Sequence, residues 1–120
     1  MEEALKILQQ MESLLDQMNY LGRQISGIDE GVRNRAYTVR ELMEERRIEQ
    51  ERDQVKSEFD ENQEKLALAI GTPKNAKELK EMLKNKKAKK EEHGRNIDLF
   101  ITWINIAEEK IHGEREEIDR

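Results

Sequence analysis

The sequence contains no cysteine and a single proline, and aromatic side chains make up only 4% of its 120 residues. The lack of cysteine excludes a disulfide framework and any cysteine-ligated zinc or iron–sulfur centre. With so few aromatic residues, the chain has little material for a platform that stacks on single-stranded nucleic acid. The absence of cysteine fits a reducing compartment, so we expect the cytoplasm, with the nucleus or a virion as alternatives.

Long apolar runs are missing as well. No stretch of about 20 apolar residues is present, which is the length that a membrane-spanning helix needs. The acidic start, Met1 to Glu3, differs from a secretory signal, which combines basic residues with a continuous apolar segment. We therefore expect no membrane contact.

Apolar residues are scarce and charged residues are abundant. Hydrophobic side chains make up 35% of the sequence and charged ones 41%, with a net charge of −5. Average soluble domains carry roughly 45–50% apolar and about 25% charged residues. This composition disfavours a large enzyme core, and the mild net charge disfavours a strongly basic DNA-binding protein.

The apolar residues that are present follow a helical period, which argues against disorder. The first run alternates spacings of four and three and comprises Ile7, Met11, Leu14, Met18, Leu21, Ile25 and Ile28. Such an a/d pattern predicts an amphipathic helix over about residues 3–26. Gly27 and Gly31 then mark a break in the chain.

A second helix is predicted over about residues 30–70. Its apolar residues follow two heptad frames, and the change of frame, here called the frame slip, lies between Met43 and Ile48. The first set is Val32, Ala36, Val39, Leu42 and Met43, and the second is Ile48, Val55, Phe59, Leu66 and Ala69. We interpret Met43, with Met11 and Met18, as core filler or, alternatively, as part of an adaptable groove for partner helices. Gly71 can take the left-handed conformation that ends a helix, and Pro73 suits the first turn of the next one.

A third helix is predicted over about residues 74–116, with an apolar seam from Ala76 to Ile111. Two features of this seam are unusual. Lys86 and Lys90 fall on seam positions, and Gly94 lies inside the helix at a cost of about 1 kcal/mol relative to alanine.

These helices predict an all-α fold in a single domain, 1–120. Short connections imply antiparallel neighbours. If the chain reverses near residues 28–29 and again at Pro73, helix one packs against only about residues 30–54 of helix two. We therefore expect an antiparallel three-helix bundle, extended by a two-helix coiled-coil hairpin arm over about residues 55–91.

An apolar excess on helix three predicts a partner-binding surface. Phe100 falls on the seam and is expected in the core, whereas Leu99, Trp103 and Ile106 lie off it. Trp103 could lie either in the core or at an interface. An apolar face that the bundle does not cover predicts binding to another protein or to itself, most simply as a homodimer.

A basic segment lies at the start of helix three. Its candidate binding residues are Lys74, Lys77, Lys80, Lys84 and Lys87. Pairing with the acidic stretch of helix two is the simpler interpretation, and each exposed pair contributes about 0–1 kcal/mol. Alternatively, these lysines bind a phosphate backbone or an acidic partner.

No catalytic or cofactor motif is present. Glu109 and His112 have the Glu-x-x-His spacing of di-iron bundles, but such a site needs a second motif and further carboxylates. We expect no enzyme activity, cofactor, metal or small-molecule substrate. The sequence favours a protein–protein interaction module, such as an adaptor, a scaffold or a small chaperone-like subunit. A nucleic-acid-binding helical arm, using lysines of residues 74–90, is the alternative.

Overall fold

The computed structural model describes residues 2–88 and 94–118, and every regular element in these ranges is an α-helix. The all-α prediction is therefore confirmed for this part of the chain. The elements are α1 (Glu2–Gly31), α2 (Val39–Ile70), α3 (Pro73–Ala88) and α4 (Gly94–Ile118).

The chain divides into two compact units. Unit 1 comprises Met1–Met11 and Glu61–Arg120, and unit 2 comprises Glu12–Asp60. Helices α1 and α2 therefore each contribute one segment to each unit. Helices α3 and α4 belong to unit 1.

The core of unit 2 joins heptad positions of α1 and α2. Its buried residues are Leu14, Leu21, Ile25, Ile48 and Val55, and Met18, Ile28 and Phe59 pack against them. Spacings of four and three along α1 place these side chains on one face of the helix. The predicted apolar seam of helix one thus packs as expected, although against a partly different stretch of α2.

The core of unit 1 gathers four helical segments. Its fully buried side chains include Leu8 of α1, Leu66 of α2, Leu79 and Leu83 of α3, and Ile104 of α4. Phe100 is buried as predicted. Gln63 is buried too, and its side-chain amide donates a hydrogen bond of 3.0 Å to the carbonyl oxygen of Trp103, which ties α2 to α4.

The predicted continuous helix over 74–116 is wrong, because α3 and α4 pack side by side as an antiparallel pair. Lys80 forms an ion pair of 2.7 Å with Glu108, and Lys87 forms one of 2.7 Å with Asp98. At a rise of about 1.5 Å per residue, one straight helix would hold Lys80 and Glu108 roughly 40 Å apart. The apolar faces of α3 and α4 can be buried against each other only if the chain reverses between them.

The signal for this reversal is present in the sequence. Between residues 84 and 96 the only apolar residue is Ala88, and Gly94 follows. A long polar interval that ends in glycine is typical of a connection. Residues 89–93, which the predicted helix also included, lie outside the described residues.

The boundary between α1 and α2 also differs from the prediction. Helix α1 continues through Gly27 to Gly31, and α2 begins only at Val39. Glycine inside a helix costs about 1 kcal/mol, which the packing of Ile25 and Ile28 outweighs.

The later turn changes which segments pair. The first turns of α1 line a groove with residues 62–69 of α2 within unit 1. Helix one is therefore not restricted to residues 30–54 of helix two. Residues 61–88 of the predicted arm belong to the same compact unit as α4, so the arrangement of a bundle with an arm is not confirmed.

The predicted stop at the end of α2 is confirmed. Gly71 has a φ of 74°, and its amide donates a 2.9 Å hydrogen bond to the carbonyl oxygen of Ala67. The hydroxyl of Thr72 accepts a hydrogen bond of 3.2 Å from the amide of Asn75, which caps the start of α3. The side-chain amide of Asn75 donates to the carbonyl oxygen of Ile70.

Candidate functional site

The start of α2 is built by a reciprocal cap. The hydroxyl of Thr38 accepts a hydrogen bond of 3.1 Å from the amide of Glu41, and a carboxylate oxygen of Glu41 accepts one of 3.0 Å from the amide of Thr38. This is the capping box, in which two free amides at a helix start are satisfied together. The Thr-x-x-Glu pattern of residues 38–41 therefore predicts a helix start that the apolar periodicity alone does not.

Two further contacts hold the turn of residues 32–38 against both helices. The guanidinium of Arg35 donates two hydrogen bonds of 2.7 Å to the two carboxylate oxygens of Glu41. The hydroxyl of Tyr37 donates to a carboxylate oxygen of Asp29 near the end of α1. These polar contacts join the turn to the end of α1 and to the first turn of α2.

Apolar side chains of the first turns of α2 point outward. Val39, Leu42 and Met43, here called the α2 apolar cluster, have exposed fractions of 74%, 50% and 68%. Glu41 and Glu45 of the same turns are partly buried. The expected core position of Met43 is therefore wrong, while Met11 is buried and Met18 packs on the core of unit 2.

The frame slip in the sequence explains why Val39, Leu42 and Met43 point away from the core. At about 100° per residue, Val39 lies roughly 180° and Met43 roughly 140° around the helix from Ile48. Because Ile48 and Val55 face the core, residues on the earlier frame must point away from it. The slip between Met43 and Ile48 is thus the sequence signal for the α2 apolar cluster.

The carboxylates and the phenol near this turn have shifted pKa values. Hydrogen bonding by Arg35, with further hydrogen bonds from Thr38, lowers the pKa of Glu41 to about 2. Hydrogen bonding to Asp29 raises the pKa of Tyr37 to about 12. Partial burial, and then the neighbouring Asp29 and Glu49 carboxylates, raise the pKa of Glu45 above its ordinary value of 4.5.

The raised pKa of Glu45 predicts a stability change with pH. The protonated Glu45 carboxyl contributes favourably to the free energy of unfolding. This contribution is fully present below pH 4.5 and is lost as the pH rises through the raised pKa of Glu45 in the folded protein. Glu45→Gln should therefore stabilise the protein at pH 7, and the gain should vanish below pH 4.5. Urea denaturation followed by circular dichroism at a series of pH values measures this, with the exposed neighbour variant Glu44→Gln as control. A loss of stability in Glu45→Gln at pH 7 would contradict the prediction.

Arginines border the α2 apolar cluster. Arg46 lies on the same outward face one turn after Leu42 and Met43, and Arg40 and Arg47 flank the Met43 side. All three side chains are exposed. Among the described residues, the ion pairs of unit 2 include Arg35 with Glu41 and none that involves Arg40, Arg46 or Arg47.

The structure separates the three residues of the predicted partner surface on α4. Trp103 is buried in unit 1, 6% exposed, and its ring lies 5.8 Å from that of Phe100. Of the two locations considered for Trp103, the structure shows the core. Leu99 and Ile106 remain partly exposed, at 38% and 39%.

The candidate lysines of α3 fall into two groups. Lys80 and Lys87 are ion-paired with Glu108 and Asp98 of α4, rather than with the acids of helix two that we expected. Lys74, Lys77 and Lys84 are exposed, and no ion pair within the described residues involves them. The outer face of α3 also carries the acids Glu78 and Glu81.

Other candidate sites show fewer features of a binding surface. A groove of about 440 Å³ in unit 1 is lined by Ile7 and Leu68 together with Glu3, Lys6 and Lys65. Among the side chains that the structure describes, those of residues 2–88 and 96–112, no three histidine or carboxylate groups converge as a metal site would require. None of the helices described there has the length and apolarity of a membrane span.

Comparisons with protein families, with curated proteins and with solved structures give no match for this chain. The start of α2 therefore has to be interpreted from its own chemistry.

Proposed function

We propose that this chain is a non-enzymatic helical protein–protein interaction module that acts as an adaptor, a scaffold or a small chaperone-like subunit. The observation that carries the proposal is the exposure of Val39, Leu42 and Met43 on one side of α2. Removing apolar surface from water contributes about 25 cal/mol per Å², so a partner that covers these side chains gains affinity. Contiguous exposed apolar residues of this kind typify interaction surfaces.

A rigid support makes such a surface effective. We propose that α1 and α2 form a coiled coil in unit 2, since their core residues follow heptad spacing. The capping box at Thr38 and the two hydrogen bonds from Arg35 to Glu41 hold the α2 apolar cluster in place. A preorganised surface loses little conformational entropy on binding.

The α4 face supports a second part of the proposal, which is self-association. Leu99 and Ile106 are seven residues apart and thus lie on one side of α4, where both are more than one-third exposed. Two copies could cover these side chains mutually in a symmetric homodimer. The cytoplasm is the compartment that we propose, with the nucleus or a virion as alternatives.

A capture experiment tests the interaction function. The wild-type chain is immobilised and exposed to an extract of the source cells, captured proteins are identified, and binding is repeated with the purified partner. The variant Val39→Ser/Leu42→Ser/Met43→Ser should weaken binding more than about tenfold, because the central residues of an interface carry most of its affinity. Leu68→Ser is the matched control, since Leu68 is 76% exposed in unit 1 and should be dispensable.

Two outcomes would contradict the proposal. One is the absence of any specific protein partner, and the other is a purified partner that binds the triple variant as tightly as wild type, with circular dichroism showing both folded. Light scattering on the same samples measures self-association. A monomer at every concentration would overturn the homodimer, whereas a dimer that Leu99→Ser/Ile106→Ser dissociates would support it.

The exposed lysines of α3 favour nucleic-acid binding as a second candidate function. Lys74, Lys77 and Lys84 lie on the outer face of the helix, where they could follow a phosphate backbone. Glu78 and Glu81 on that face weaken the positive potential, which is why this function ranks second. Binding to a duplex or single-stranded oligonucleotide that falls steeply as salt rises would identify it.

A further inference from the structure

The start of α2 combines exposed apolar side chains with three exposed arginines, Arg40, Arg46 and Arg47, that form no ion pair within the described residues. From Gly31 to Arg47 the sequence holds five arginines against three glutamates, although the whole chain has a net charge of −5. Glu41 is already ion-paired with Arg35, and Glu44 is the exposed acid among the three. Arg40, Arg46 and Arg47 are exposed and border the α2 apolar cluster.

We infer that the α2 apolar cluster and its bordering arginines bind an acidic amphipathic helix of another protein. This inference rests on the proposed interaction function and specifies its partner. Apolar residues on such a helix would cover Val39, Leu42 and Met43, and its carboxylates would meet the arginines. The planar guanidinium binds a carboxylate through two parallel hydrogen bonds, the geometry that Arg35 already forms with Glu41 at 2.7 Å.

Charge argues against a second copy of this chain as the occupant. A two-fold pairing through this surface places the same patch on both sides of the interface. The arginines of one copy would then approach those of the other, and like charges brought together at an interface disfavour binding. An acidic partner meets no such repulsion.

Apolar character argues against a nucleic acid, and the small size of the cluster argues against a lipid surface. A phosphate backbone would pair with the arginines but would leave Val39, Leu42 and Met43 uncovered. Helices that lie on membranes present a long apolar face that includes tryptophan, phenylalanine or leucine. In the unit 2 segment of α2, the large apolar side chains that are exposed are confined to Val39–Met43, little more than one turn of the helix.

A peptide titration tests the inference independently of any natural partner. The probe is a fluorescent synthetic peptide of about 18 residues, long enough to form a helix, with leucines at i, i+3, i+4 and i+7 and glutamates elsewhere. One control peptide has lysine at every glutamate position, and another has the same composition as the probe in an order without helical periodicity. Fluorescence anisotropy measures binding to the full chain.

We expect the acidic amphipathic peptide to bind and both control peptides to bind at least about tenfold more weakly. Affinity for the acidic peptide should fall as salt rises, because salt screens charge pairs at a surface. Arg46→Glu/Arg47→Glu should weaken it about tenfold or more, and so should Met43→Ser. The control variant Lys6→Glu/Lys65→Glu reverses the same number of exposed charges in unit 1 and should leave the affinity unchanged.

Several results would overturn the inference. These are equal binding of the glutamate and lysine peptides, no binding of either, or an affinity that the Arg46→Glu/Arg47→Glu variant does not change. Arginine-dependent binding to phosphatidylserine vesicles, to a DNA duplex or to a second copy, without binding of the acidic peptide, would replace it with that occupant. A natural partner captured through the α2 apolar cluster, with no binding of the acidic peptide, would retain the proposed function and reject only the acidic helix.

Discussion

Replacing Ile104 with alanine is expected to lower the free energy of unfolding by about 2–5 kcal/mol. Ile104 is fully buried in unit 1, in the helix that packs against α3. The substitution removes apolar atoms from the core and leaves a cavity that the surrounding helices can fill only in part. Urea denaturation monitored by circular dichroism measures the change.

The same helix offers a matched control for this prediction. Ile106 lies two residues later and is 39% exposed. Ile106→Ala removes the same atoms but less buried area, so it should cost about 1 kcal/mol or less. If the two alanine variants were equally stable, the assignment of Ile104 to the core and of Ile106 to the surface would be wrong.

Two glycine substitutions are expected to act in opposite directions. Gly71→Ala should destabilise the protein by about 1–2 kcal/mol, because alanine is strained in the left-handed conformation that Gly71 adopts with φ of 74°. A Cβ at this position would lie 3.7 Å from the carbonyl oxygen of Leu68, an ordinary contact. The expected cost therefore comes from the backbone conformation and not from a clash.

Gly27→Ala should instead stabilise the protein by about 0.5–1 kcal/mol. Gly27 lies inside α1, and nothing lies within 4 Å of the Cβ that alanine would add. Alanine loses less conformational freedom than glycine when the helix forms. Chemical denaturation of both variants and of wild type measures the two changes in the free energy of unfolding. Changes of the same sign would show that the backbone conformation of Gly71 or of Gly27 is assigned incorrectly.

These two glycines show where sequence interpretation succeeds and where it does not. Gly71 stands between a long apolar pattern and Thr72-Pro73, so local chemistry predicts both its conformation and the helix stop. Gly27 looks similar in the sequence, yet α1 continues past it to Gly31. Glycine only weakens a helix by about 1 kcal/mol, and the burial of apolar residues on either side outweighs that cost.

The candidate site was accessible to sequence interpretation only in part. The capping box at Thr38 and Glu41 and the frame slip before Ile48 are both visible in the sequence, and the frame slip places Val39, Leu42 and Met43 on a different side of the helix from Ile48. Which of these two sides is buried depends on the rest of the fold. Periodicity alone assigns these residues to a seam. The contacts of Tyr37 with Asp29 and of Arg35 with Glu41 depend on how the turn folds, so no local pattern predicts them.

The sequence by itself determined that this chain is helical, that apolar residues in heptad spacing form its cores, and that Gly71 separates two helices. These properties follow from local chemistry and from the period of 3.6 residues, which neighbouring residues suffice to define. The tertiary structure decided that α3 reverses onto α4, that Trp103 is buried, and that the first turns of α2 direct their apolar side chains outward. Each of these outcomes depends on competition between distant segments for the same buried surface, and that competition is settled only when the whole chain packs.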